Sequence, residues 1–257
     1  MKTLIIKTVM SILLVTVSTQ VRSQNSNLFL QNYYKLGFFG QSGIDSKGVV
    51  KKEDSSVGYD LLKYKSYQFG LLYNIYQEKK WNFKTGFILK FKSTKEHLYF
   101  KKEQTGYNRD ISFIQSTYSS SRMYSVPLIT EYIIPLSNRI KWEISPSLTF
   151  SYYTGQEGDG GNFIGSAKIY EFYDGYKKNP LFLSAEISTG FYILFKHFML
   201  QPELRYSKSF RPILTGYYET EGFLTEPHSS KGTFEQSGDY WGLSLSVYLK
   251  KKKKNSK

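Results

Sequence analysis

Through most of its length the chain alternates apolar and polar residues with a period of two. That is the mark of a strand with one apolar and one polar face. The clearest run is Leu181 to Phe195, with Leu181, Leu183, Ile187, Phe191, Ile193 and Phe195 on one side. Ser184, Glu186, Ser188 and Gly190 lie on the other. After a tight Lys196-His197 turn the alternation resumes, with Phe198, Leu200, Leu204 and Tyr206 against Gln201, Glu203, Arg205 and Ser207. The same pattern marks runs at 124–134, 140–152, 67–75, 81–91 and 241–249, and more weakly at about 30–43. About eight strands result, each of the ~9–11 residues that cross a membrane.

The connections sort by length. Short turns fall near 77–80, 136–139 and 196–197, and long polar stretches near 45–63, 104–120, 155–178 and 215–237. Strict short–long alternation is what outer-membrane barrels show, with short periplasmic turns and long external loops. The expected fold is therefore all-β: a transmembrane antiparallel up-and-down β-barrel.

Charge placement agrees with this orientation. Glu131, Glu143, Glu186, Glu203 and Arg205 sit mid-strand on the polar face. A lipid-facing charge near the midplane costs ~2–4 kcal/mol, and none of these is placed there. An eight-stranded barrel is just filled by side chains, and buried charges must pair or find hydrogen bonds. Glu131, Lys141, Glu143, Glu186, Glu203 and Arg205 are therefore expected to form an internal polar network that plugs the lumen. Near strand ends, Tyr73, Trp81, Tyr132, Trp142, Phe195, Phe198 and Trp241 are candidates for the interfacial aromatic belts.

Composition narrows the chemistry. Among 257 residues there is no Cys, which removes disulfides, thiolate metal sites, a Cys nucleophile and a lipidated N-terminal Cys. A mean hydropathy of −0.41 argues against a multi-helix membrane protein. It suits a barrel whose strands turn half their residues to a polar interior. Residues 1–23 read as a secretory signal: Lys2 and Lys7 precede an apolar run centred on Ile12 to Val15, and Val21-Arg22-Ser23 offers a cleavage site. That run is shorter than the ~20 residues of a spanning helix. Residues 24–249 form the barrel, and 250–257 a lysine-rich solvated tail. The net charge of +14 falls to +11 without the signal and to +5 without the six tail lysines. So modest a body charge, on an exported chain, gives no reason to expect nucleic acid.

At this level the sequence is similar to a known family. The run Tyr124-Ser125-Val126-Pro127-Leu128-Ile129-Thr130-Glu131-Tyr132 resembles the Pro-Leu strand of the outer-membrane β-barrel domain family that includes PorT-like proteins and is widespread in Bacteroidota. Trp142-Glu143-Ile144-Ser145-Pro146-Ser147-Leu148 resembles its following small-residue strand, and Leu204-Arg205-Tyr206 its late strand. The resemblance implies a single-chain barrel in the outer membrane, usually with no assigned activity. Such barrels often end on an aromatic residue, whereas here Tyr248-Leu249 is followed by lysines.

Catalytic chemistry is sparse. His97, His197 and His228 are placed too far apart to share a metal. His228-Ser229-Ser230, with Glu226 nearby, invites comparison with lipid-modifying outer-membrane enzymes, but a polar loop is the simpler reading. Gly155-Gln156-Glu157-Gly158-Asp159-Gly160-Gly161 lacks the carboxylate ladder of a calcium loop and reads as a flexible loop tip. No catalytic, cofactor or metal residue is assigned. The expected partners are outer-membrane lipid, the barrel insertion machinery and an unidentified protein or ligand at the external loops. The expected role is structural, or recognition at the cell surface. The alternatives are a PorT-like transport or secretion component, a lipid-modifying enzyme, and a soluble periplasmic binding barrel.

Overall fold

A computed structural model describes residues 29–53, 58–78, 80–91, 94–117, 122–154, 158–174 and 180–252. The signal segment 1–23, residues 155–157 of the glycine-rich run and the tail beyond residue 252 lie outside them. Sixteen strands occur among the described residues: β1 (Tyr33–Asp45), β2 (Val49–Lys52), β3 (Gly58–Leu61), β4 (Tyr64–Glu78), β5 (Trp81–Phe91), β6 (Thr94–Phe100), β7 (Ile111–Thr117), β8 (Arg122–Pro135), β9 (Ile140–Tyr153), β10 (Gly158–Ile164), β11 (Ala167–Asp174), β12 (Leu181–Leu194), β13 (Phe198–Ser209), β14 (Pro212–Glu221), β15 (Ser229–Ser237) and β16 (Tyr240–Lys250).

Eight of them close into an antiparallel barrel in the order β1-β16-β13-β12-β9-β8-β5-β4. Closure comes from β1 pairing with β16, for example Gly40 opposite Leu245. The strands run up and down, each beside its barrel neighbour in sequence. One rim carries the tight turns β4–β5, β8–β9 and β12–β13. The other carries the long connections. Among the described residues no helix is long and apolar enough to cross a membrane.

Alternation sets the wall. Along β8 Val126 and Leu128 face outward and are 43% and 50% exposed, while Glu131 faces inward at 1%. Phe38, Phe69, Leu148, Ile187, Leu204 and Leu243 continue the apolar exterior. This is the reverse of a water-soluble barrel.

The long connections depart from the expectation of polar loops. They fold into eight further strands forming two sheets, β10-β11-β14-β15-β2 and β3-β6-β7. The sheets share one buried core: Tyr59 and Leu61 of β3 and Leu98 and Phe100 of β6 meet Ile169 of β11, Tyr218 of β14 and Phe234 of β15. Rings tie it together, with Tyr59 stacked on Tyr218 at 4.7 Å and 5.7 Å from Phe234. The glycine-rich run is accordingly no loop tip over Gly158–Gly161, which pairs with β11. Each strand here is four to ten residues long. A short run turns only two or three apolar residues inward, too few to separate from a polar stretch by eye.

The barrel ends are stoppered by apolar residues. At the turn rim a single 3-10 turn, Phe29–Asn32, folds into the mouth. Phe29 and Leu30 are buried there with Tyr33, Ile133, Tyr192, Met199 and Tyr248. Leu30 therefore belongs to a plug, not to the first strand. Gly37 makes room for it, since a Cβ there would collide with the Tyr248 ring. At the loop rim Met123, Tyr153, Phe182 and Ile213 form a second cluster.

Candidate functional site

Two places concentrate chemistry, the lumen between the stoppers and the two-sheet head above the loop rim.

The lumen network is built on cross-strand register. Asn82 of β5 stands opposite Glu131 of β8, and its Nδ2 donates to Glu131 Oε2 at 2.6 Å. The Tyr192 hydroxyl donates to the same oxygen at 2.5 Å. Lys84 Nζ lies 2.6 Å from Glu131 Oε1, and Gln201 Nε2 donates to that oxygen at 2.9 Å. Lys84 also donates to Gln201 Oε1 at 2.7 Å. β5 and β13 are four strands apart around the barrel, so this bond spans its full width. The Tyr192 and Tyr248 rings lie 4.9 and 5.3 Å from Lys84 Nζ, close enough for cation–π attraction.

A second centre surrounds Arg205. Its guanidinium lies 3.0 Å from Glu203 and 3.8 Å from Glu186. Ser188 and Ser244 donate to Glu203 at 2.9 and 3.2 Å. Glu143 accepts from the Ser145 hydroxyl. Nearer the loop rim, Lys90 pairs with Asp45 at 2.7 Å, and Ser66 donates to that carboxylate.

Of the residues singled out from the sequence, Glu131, Glu143, Glu203 and Arg205 are deeply buried, and Glu186 joins them through Arg205. Lys141 is placed elsewhere: it sits next to the turn rim, and its Nζ donates to the Ser137 carbonyl at 2.7 Å. Lys84, Lys90, Asp45, Asn82 and Gln201 belong to the lumen and are network members that sequence reasoning missed. Alternation puts Lys84, Lys90 and Asn82 on the polar face, but their partners Glu131 and Asp45 lie more than 40 positions away in sequence, and no local period records that pairing.

Glu131, Glu143 and Glu203 bring three carboxylate oxygens within 4.8 Å of one another, a donor set that suits a hard cation. Lys84 and Arg205 already pair with two of the three, so the cluster carries its own cations.

The aromatic candidates divide between the rims. Trp81 and Tyr132 lie 4.9 Å apart, and Phe195 stacks on Phe198 at 4.7 Å, both pairs at the turn rim. Trp142 is there too, its indole donating to Thr189 Oγ1 at 2.8 Å. Trp241 lies by the loop rim, 4.5 Å from Tyr206.

On the head, the Tyr99 hydroxyl donates to Asp110 at 2.7 Å, and the Lys102 amide donates to its other oxygen at 3.0 Å. The Tyr99 bond holds the Asp110 carboxyl below its ordinary value and raises the Tyr99 hydroxyl. Hydrogen bonding to Glu219 raises the Lys231 ammonium. His228 is held by two contacts at the head. Its Nδ1 lies 2.9 Å from the Phe223 carbonyl and its Nε2 3.2 Å from Glu226. Both ring nitrogens are thus engaged. His97 bonds Ser112 at 2.8 Å on β6, and His197 lies in the β12–β13 turn at the opposite rim.

No family model matches the chain, and no curated protein matches it. Several solved structures are similar in strand arrangement. The outer membrane protein OprG from Pseudomonas aeruginosa is 12% identical, over 86% of this chain and 98% of that one, with a TM-score of 0.40. Neisserial surface protein A is 12% identical over 83% and 97%, with a TM-score of 0.35. The outer membrane protease OmpT from Escherichia coli is 6% identical over 90% and 99%, with a TM-score of 0.33. The barrel itself rests on its own strand register and not on these likenesses.

Proposed function

We propose that the chain is an outer-membrane β-barrel protein, exported by its N-terminal signal, that uses a closed barrel as an anchor and its two-sheet head as a recognition surface outside the cell. The observation that carries this reading is the head. All four long connections supply strands to it, and it has its own aromatic core. Connections that only joined wall strands would need no such core. The apolar wall supports the membrane location. The bond from Lys84 to Gln201 across the lumen, with apolar stoppers at both mouths, supports an anchor and not a diffusion pore.

Purified protein in a planar bilayer is the direct test. The expected result is no large, stable conductance, together with a mobility shift between unboiled and boiled outer-membrane fractions on a denaturing gel. A wide, persistent channel overturns the closed lumen, and absence from the outer-membrane fraction overturns the location. An antibody raised against the head is expected to bind intact cells.

The PorT-like resemblance favours a second reading, a component of a transport or secretion machinery. A stoichiometric secretion partner in membrane-extracted complexes would support it over free-standing recognition.

A further inference from the structure

The turn rim is rich in cations. Among the described residues near the turn rim there are eight cationic side chains and one carboxylate. Lys35 lies in β1 and Lys80 directly precedes β5. Arg139 and Lys141 flank the β8–β9 turn, and Lys196 is in the β12–β13 turn. Lys250–Lys252 leave β16 and lead into the lysine tail. The single acid, Glu78, accepts from the Tyr76 hydroxyl. None of the eight cations is ion-paired among the described residues. At the loop rim, by contrast, Lys90 is matched by Asp45 and Lys208 by Asp239.

Three of these cations are braced. Lys35 donates to the Ile75 carbonyl at 3.3 Å, Lys141 to Ser137 at 2.7 Å, and Lys251 to Gln31 at 3.0 Å. An ammonium has three donors, so each keeps two free. The same rim carries Trp81, Tyr132, Trp142, Phe195 and Phe198. Lys80 Nζ is 5.9 Å from the Tyr132 ring and Lys35 Nζ 5.7 Å from the Tyr73 ring. Aromatic bodies with cationic heads just beyond them are the arrangement of side chains reaching the headgroup layer. Clustered cations at that depth attract anionic lipid.

We propose that the turn rim is a binding surface for anionic phospholipid headgroups of the leaflet in which the turns sit. Phosphate oxygens would complete the free donors of the braced lysines. The inference rests on the membrane-barrel reading above and deepens it.

The test uses the full chain folded in detergent, mixed with equal amounts of phosphatidylglycerol and phosphatidylcholine of identical acyl chains, with bound lipid counted by native mass spectrometry. A preference for phosphatidylglycerol of at least about fivefold is expected, the weight of one lysine near a charged surface. The variant Lys35→Gln/Lys141→Gln/Lys251→Gln, which removes the braced lysines, should lose most of it. A chain ending at Lys252 should keep it. Raising salt to about 0.5 M should weaken it in the unaltered protein, since exposed charges are then strongly screened; this arm does not depend on any variant folding. Absence of preference, its persistence in the three-site variant or at high salt, its loss on removing the tail alone, or equal competition by free inorganic phosphate or soluble polyphosphate overturns the proposal. The gel mobility shift is read in parallel. A shifting barrel without lipid preference defeats only this inference, and a wild-type chain that never shifts defeats the membrane reading itself.

Discussion

Lys84 Nζ and Glu131 Oε1 are 2.6 Å apart inside the barrel, against the Tyr192 and Tyr248 rings of the turn-rim stopper, and both side chains are 1% exposed. Removing one partner strands a charge that water cannot reach. Losses of about 3–5 kcal/mol accompany the breaking of a buried pair. Glu131 keeps donors from Asn82, Tyr192 and Gln201, so Lys84→Met is expected at the lower end, about 3 kcal/mol. The midpoint temperature of the gel mobility shift reports it. Lys84→Met/Glu131→Gln should recover most of the loss. A double variant as unstable as the single one would mean that charge is not what this pair contributes.

The stopper at the turn mouth depends on an absent side chain. A Cβ on Gly37 would run into the Tyr248 ring, and Tyr248 is fully buried among Phe29, Leu30 and Met199. Gly37→Ala should push that ring out and cost about 1–3 kcal/mol, the usual cost of overpacking. Intrinsic tyrosine fluorescence and protease sensitivity of the 29–32 segment should both change. Gly40 has open space where a side chain would start, with no atom within 4 Å of a Cβ placed there. Gly40→Ala therefore serves as the control and should behave as wild type.

The wall was legible in the sequence because its strands are long. Alternation sustained over more than ten residues, as from Leu181 to Phe195, is not what a loop produces. Lumen membership was legible only by sign and parity. Glu131, Glu143, Glu203 and Arg205 stand on the polar face and are inside. Lys141 has the same parity as Glu143 yet lies too near the turn to reach the others. Parity fixes a face and not a depth, and depth decides which charges meet. The inward apolar residues Tyr192, Met199 and Tyr248 were not separable either, because a polar-in rule says nothing of the mouths. The head was hidden for a third reason. Its core joins Tyr59 to Tyr218 and Phe234, residues more than 150 positions apart, and no local period records that pairing.

The head should melt independently of the barrel. Tyr59 is fully buried between Tyr218 and Phe234, and large aromatic-to-Ala truncations in cores cost about 3–5 kcal/mol. Tyr59→Ala is expected to open the head to protease at temperatures where the wild-type head resists. The mobility shift of the barrel should stay within a few degrees of wild type. Simultaneous loss of both signals would show that head and barrel form one cooperative unit.

Acid should loosen the head locally at the Tyr99–Asp110 contact. The Tyr99 hydroxyl and then the Lys102 amide favour the ionised carboxylate, which lowers its folded pKa. A group with a depressed folded pKa contributes stability that is present above its unfolded value and lost as pH falls through the folded one. The contribution should therefore be complete above about 3.9, the ordinary aspartate value, and decline only below it. Hydrogen exchange at the Lys102 amide, which donates to Asp110, is the local readout. Its protection should hold at neutral pH and fall in strong acid, after correction for the intrinsic exchange rate. Asp110→Asn should flatten that pH dependence. If protection in the wild type were instead lost near pH 6, the carboxylate would not be its source.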